Sequence, residues 1–262
     1  MAEPTDYDNA DFIPGGHGYF ARWEAAAGAF RAQHPDARLG LAYGAHPRER
    51  FDLFLPGPAP HGLVVFLHGG FWRMGDRALW SHLAAGALAR GHAVALPSYP
   101  LCPEARIAGI TRSIAQALPA IAAEVDGPVR LAGHSAGGHL ALRMASPDAG
   151  LPGPVVARLG AILAISPLAD LAPLMEMPMN ADLRIDPTEA RAESPVHHPP
   201  PGLPVFAEVG ADERPAFLDQ ALWLADAWPD THLTIAAGRH HFDVIEPLTD
   251  PASPMLDRFL GR

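Results

Sequence analysis

Apolar and polar positions recur along this chain with two periods. Over 19–34, Phe20, Trp23, Ala27 and Phe30 fall at helical spacing and predict an amphipathic helix. Two short strands are expected near 39–43 and 51–55. In the second, Phe51, Leu53 and Leu55 alternate with Asp52 and Phe54, which suggests one wetter face, and the run Pro56-Gly57-Pro58-Ala59-Pro60 stops it. From residue 62 the pattern changes. The runs at 62–67 and 92–96 are apolar throughout, as strands buried on both faces require. Further strands are expected at 129–132, 159–165, 205–209 and 232–236. Between them lie helical stretches at 76–90, closed by Gly91, at 104–124, disturbed by Pro119, at 136–145 and at 214–228, with a last one at the C-terminus.

Strict alternation of strand and helix implies parallel strands joined by right-handed crossovers. The expected fold class is therefore α/β: a mostly parallel central sheet with helices on both faces and an antiparallel N-terminal edge. One domain is expected over 1–262. The long interruption at 166–204 reads as a lid or pocket wall, because excursions of that length are uncommon without a function. It carries Met175, Met177 and Met179, suited either to core packing or to an adaptable pocket.

Charge and composition narrow the chemistry. The formal net charge is −10, which disfavours nucleic acid and anionic membrane as partners. Every one of the 19 basic residues is arginine. Without a lysine there is no P-loop ATPase, Schiff-base enzyme, Ser-Lys dyad or protein kinase. The single cysteine, Cys102, excludes an internal disulfide and a Cys-rich zinc site. The segment 1–11 is acidic and lacks an apolar core, so no secretory signal is expected, and no apolar run reaches the ~18 residues of a membrane span. A cytoplasmic protein acting on a small molecule, with a homodimer possible, is the resulting expectation.

One motif carries chemistry. Gly133-His134-Ser135-Ala136-Gly137 matches G-x-S-x-G, follows an apolar strand and opens a helix. A serine on that sharp turn exposes its hydroxyl, and the helix N-terminus offers N–H groups to a developing oxyanion. Such a serine needs a base and an acid, and in the α/β-hydrolase order the acid comes next and the histidine last. The acid is expected just past the strand at 205–209: Asp212 first, Glu213 as runner-up, with Glu208 inside the strand and less able to reach. The base is expected after the last strand, where His240 and His241 compete. A second oxyanion element is expected in His68-Gly69-Gly70-Phe71-Trp72, so the N–H groups of Gly70, Phe71 and Ala136 are the candidates. His68 is expected to hold that loop. Trp72, Met175 and Phe242 are expected against the substrate. Neither metal nor organic cofactor is called for.

These motifs resemble a known family. HGGFW at 68–72, GHSAGGHL at 133–140, VGADERPAF at 209–217 and HHFDVIE at 240–246 are similar to the kynurenine formamidase (arylformamidase) branch of α/β-hydrolases, close to the hormone-sensitive-lipase-like esterases. YDN at 7–9 and the run at 43–56 share the likeness. The resemblance implies Ser135 as nucleophile, Asp212 as acid and His241 as base, since the family histidine directly precedes Phe. It also implies release of formate from an aryl formamide, N-formylkynurenine. A broad carboxylesterase for short acyl or aromatic esters would use the same groups.

Overall fold

Residues whose side chains are apolar on every position of a run have no face to offer water, and they form the middle of the sheet. In the computed structural model, which describes residues 5–261, β3 (Leu63–Leu67) and β4 (Ala93–Pro97) are buried at every position. Part of the acidic N-terminal stretch, residues 1–4, lies outside the described residues.

The elements run α1 (Tyr19–Gln33), β1 (Arg38–Ala42), β2 (Arg50–Phe54), β3, a 3-10 turn at Arg77–Ala84 leading into α2 (Ala85–Ala89), β4, α3 (Ile107–Ala122), β5 (Val129–His134), α4 (Ala136–Arg143), α5 (Gly153–Val156), β6 (Leu159–Ile165), α6 (Asn180–Leu183), α7 (Pro187–Glu193), β7 (Val205–Gly210), α8 (Pro215–Ala227), β8 (His232–Ala236) and α9 (Pro254–Leu260). The strands form one sheet in the order β1-β2-β4-β3-β5-β6-β7-β8. Pairing is antiparallel where β2 meets β1 and β4, and parallel from β4 to β8. One apolar cluster lies on each face of this sheet. This is the α/β sheet with an antiparallel edge that the alternation predicts.

Three local expectations are corrected. On α1 the buried stripe is Tyr19, Trp23, Ala27 and Phe30, with Phe20 more exposed at 37%. Strand β2 has no wet face. Asp52 is buried because the Arg77 guanidinium and the Gly40 N–H, each at 2.8 Å, satisfy its carboxylate. Pro119 does not break α3: it sits in the last turn, and its own carbonyl still accepts from Ala123.

The excursion after β6 is tied down by a buried network. Glu193, at the end of α7, accepts from the Arg143 guanidinium at 3.1 Å and from the Thr111 hydroxyl at 2.6 Å. Its carbonyl accepts from His139 Nε2 at 2.7 Å. Arg143 also forms a bidentate pair with Asp148. The helix that starts behind Ser135 therefore anchors the excursion directly.

Candidate active site

The turn between β5 and α4 is tight. Ser135 has φ 56° and ψ −120°, a conformation costly for a residue with a side chain and kept where function needs it. Both flanking glycines are required by space. A Cβ on Gly133 would lie 2.1 Å from the Gly137 carbonyl oxygen, and one on Gly137 would lie 1.9 Å from the Leu67 carbonyl oxygen. The missing side chains let the turn settle onto the C-terminal end of β3.

That same end of β3 carries the His68–Trp72 loop. Gly70, Phe71 and Trp72 take φ of 111°, 50° and 55° in succession. This left-handed run turns Phe71 toward a cavity and sends Trp72 the other way. The N–H groups of Gly70 and Phe71 donate to no backbone carbonyl among the described residues. The Ala136 N–H opens α4, where a helix has no acceptor of its own. His68 is fully buried, stacks on Tyr99 at 4.3 Å and donates from Nδ1 to the Gly69 carbonyl at 2.8 Å, while the Tyr99 hydroxyl donates to the His68 carbonyl. Burial pushes its imidazole down to about 4, so it is a neutral prop for the loop.

His241 Nδ1 lies 2.6 Å from Glu213 Oε2, and neither side chain is more than 3% exposed. The other carboxylate oxygen of Glu213 accepts from the Ser166 hydroxyl at 2.5 Å and from the Gly210 N–H at 2.7 Å. With these three contacts on it, the Glu213 side chain is fixed in place, and it orients the imidazole with Nδ1 toward the carboxylate and Nε2 free of protein partners among the described residues. His134 reaches under this ring, donating from Nε2 to the His241 carbonyl at 2.9 Å. Burial, and then its neighbour His241, keep His134 well below the ordinary imidazole range.

The expected acid is corrected by this geometry. Asp212 is exposed, and it is Glu213 that meets the histidine. After β7 the chain turns at once: the Glu213 N–H bonds back to the Gly210 carbonyl, and the Asp212 N–H bonds to the Arg239 carbonyl. That turn faces residue 213 inward and residue 212 outward. Glu208 is engaged elsewhere, on Arg258 at 2.7 Å, and burial raises its carboxyl. Of the two histidines, His240 points away and meets the Tyr19 hydroxyl at 3.0 Å.

Ser135 and His241 line one cavity of about 390 Å³. Its wall is aromatic: Trp23 packs on Trp80 at 4.7 Å between ring centroids and on Phe242 at 5.4 Å, and Phe71 faces them. Phe242 thus lines the cavity. Trp72 does not: it is 0% exposed and packs edge-on against His139. Met175 does not either: it lines a separate surface hollow beside Trp223, and from the methionine cluster Met179 reaches the cavity instead. Motif reading missed Ser166, at φ 45° just past β6, and the N-terminal residues Tyr7 to Ala10 on the cavity wall. Nothing in the local sequence marks Ser166, and YDN at 7–9 carries a family likeness but no sign of its place on the cavity wall. Among the described residues no group of side chains is arranged to hold a metal ion, and no helix is long and apolar enough to cross a membrane.

Comparison with known proteins identifies the family and the fold. A family model described as the alpha/beta hydrolase family matches residues 64–260. The kynurenine formamidase of Salmo salar is 25% identical over 81% of this chain and 77% of its own length. A crystal structure from Silicibacter sp. TM1040, of a protein provisionally called a thioesterase, is 50% identical, covers 100% of both chains and superposes with a TM-score of 0.97. Esterase B of Lactobacillus rhamnosus shares the fold at a TM-score of 0.68, with 20% identity over 93% of this chain and 91% of its own.

Proposed function

This chain belongs to the alpha/beta hydrolase family, and we propose that it is a serine hydrolase that cleaves the formamide of an aromatic amine. The observation that carries the reading is the Glu213–His241 contact beside the cavity that Ser135 lines. In the proposed mechanism His241 Nε2 takes the Ser135 hydroxyl proton as Oγ attacks the formyl carbon. The N–H groups of Gly70, Phe71 and Ala136 receive the oxyanion; each such donor contributes about 3–4 kcal/mol to transition-state stabilisation. His241 returns the proton to the nitrogen, the C–N bond breaks and the arylamine leaves. Water, deprotonated by His241, then attacks the formyl-Ser135 ester and releases formate. Glu213 stays anionic and stabilises the imidazolium throughout.

The aromatic wall suits an aryl leaving group, and the similarity to kynurenine formamidases points to N-formylkynurenine as that substrate. A second reading, short acyl esters or thioesters, uses the same groups and is favoured by the name of the 50% identical relative. Formate release from N-formylkynurenine, compared with hydrolysis of 4-nitrophenyl acetate and acetyl-thiocholine, tests both. The expected result is a higher kcat/KM on the formamide and the loss of all turnover in Ser135→Ala. Near-wild-type formate release by Ser135→Ala would refute the serine mechanism. Ester or thioester hydrolysis without formamide cleavage would select the second reading.

A further inference from the structure

The lining of the aromatic cavity includes a side-chain amide oxygen with no partner among the described residues. Asn9 lines the cavity, is 5% exposed, and its Oδ1 is buried with no hydrogen-bond partner. Buried amide oxygens are almost always paired, because leaving one unpaired forfeits its hydration without return. An orphan of this kind in a ligand cavity is an acceptor waiting for a donor.

The segment around Asn9 is clamped. The Tyr7 ring meets Phe71 and Phe217 edge-on, and its hydroxyl accepts from Gln220 Nε2 at 2.9 Å. The Asp8 carbonyl accepts from the guanidinium of Arg214, the residue after Glu213. The Asn9 carbonyl accepts from the Ile13 N–H at 2.9 Å. Tyr7, Asp8 and the backbone of Asn9 are therefore held against the body of the site. This segment precedes residue 64, where the match to the family model begins.

We propose that Asn9 is a specificity-determining residue whose side-chain oxygen accepts a hydrogen bond from the N–H of the scissile amide. The proposal rests on the formamide reading above and deepens it. A formamide of an arylamine carries one N–H next to the carbon that Ser135 attacks, and an ester of the same shape carries an oxygen there. The amide gives Oδ1 its missing donor. The ester sets lone pair against lone pair and leaves Oδ1 buried and unpaired. Sites built to bond a substrate N–H reject analogues that lack it for this reason.

The test uses 4-nitroformanilide and 4-nitrophenyl formate, which share acyl and aryl groups and differ at the bridging atom. The measured quantity is the ratio of their kcat/KM values, so each variant's own ester rate reports whether its site is assembled. Asn9→Leu keeps the shape and removes the acceptor, and its amide-to-ester ratio is expected to fall about tenfold or more. Asn9→Asp keeps an acceptor oxygen in the same place and is expected to retain most of the wild-type ratio. An unchanged ratio in Asn9→Leu, or an equal fall in both variants, would overturn the proposal and leave the formamidase reading standing. A wild-type enzyme that opens the formate ester but not the formanilide would overturn that reading, and the proposal with it.

Discussion

Replacing Glu213 by Gln tests the acid assignment at a single atom. The Ser166 hydroxyl and the Gly210 N–H both donate to Oε1, so the amide oxygen of the new side chain must occupy that position. Its NH2 group then faces His241 Nδ1, across the gap that Oε2 spans at 2.6 Å in the native protein. Two donors cannot share that contact. The imidazole must shift its proton to Nε2 and accept at Nδ1, and in that tautomer it cannot take the Ser135 proton. Wrong-tautomer substitutions of this type lower kcat by about 10⁴, or about 5 kcal/mol of barrier. Two of the three bonds to the side chain survive, so the variant is expected to fold, which circular dichroism checks. Asp212→Asn changes only an exposed group and is expected to stay within about twofold of wild type. Formate release by both variants reads the outcome. A loss in Asp212→Asn as deep as that in Glu213→Gln, or more than a tenth of wild-type turnover in Glu213→Gln, would refute the reasoning.

Two further outcomes follow from buried groups away from the nucleophile. Arg143→Met leaves the nearly buried Glu193 carboxylate without its cation and is expected to cost about 3–5 kcal/mol in urea unfolding. Adding Glu193→Gln should recover part of that loss, and an Arg143→Met variant as stable as wild type would contradict the account. His68 and His139 are both buried and held near 4, against 6.5 for a free imidazole. The unfolded chain therefore takes up these protons first. Their contribution to stability is whole above about pH 6.5 and is lost progressively as pH falls toward 4. Urea midpoints should decline from pH 7 to pH 5, less steeply in His139→Gln, and a flat profile would refute the assignment of neutral buried rings.

Much of the frame was legible before any coordinates. Runs such as Leu63–Leu67, with no polar position, have only a two-sided interior to go to, and Gly133-His134-Ser135-Ala136-Gly137 after such a run has only a tight strand-to-helix turn to form. These are local rules: side-chain period, glycine sterics and turn geometry act within a few residues. They placed the eight strands, the serine turn and the glycine loop after β3 in order along the chain.

What local rules cannot weigh is which of two adjacent side chains faces inward. Asp212 and Glu213 have the same charge and one bond of difference in reach. The choice fell to the backbone turn closed by Gly210 and Arg239, partners from the end of β7 and the loop after β8. Tyr19 took the buried place expected of Phe20 for a similar reason: α1 docks with His240 and Trp80 beneath it, and Tyr19 can bond the histidine. Trp72 went into the core and Met179, in place of Met175, into the cavity, because backbone torsion and the anchoring of the excursion set their directions. Tertiary packing alone brings Asn9 and Ser135, 126 positions apart, to the lining of one cavity. Sequence period specifies which elements form and which face is apolar; the partners that each side chain meets depend on long-range packing, which no window of neighbouring residues contains.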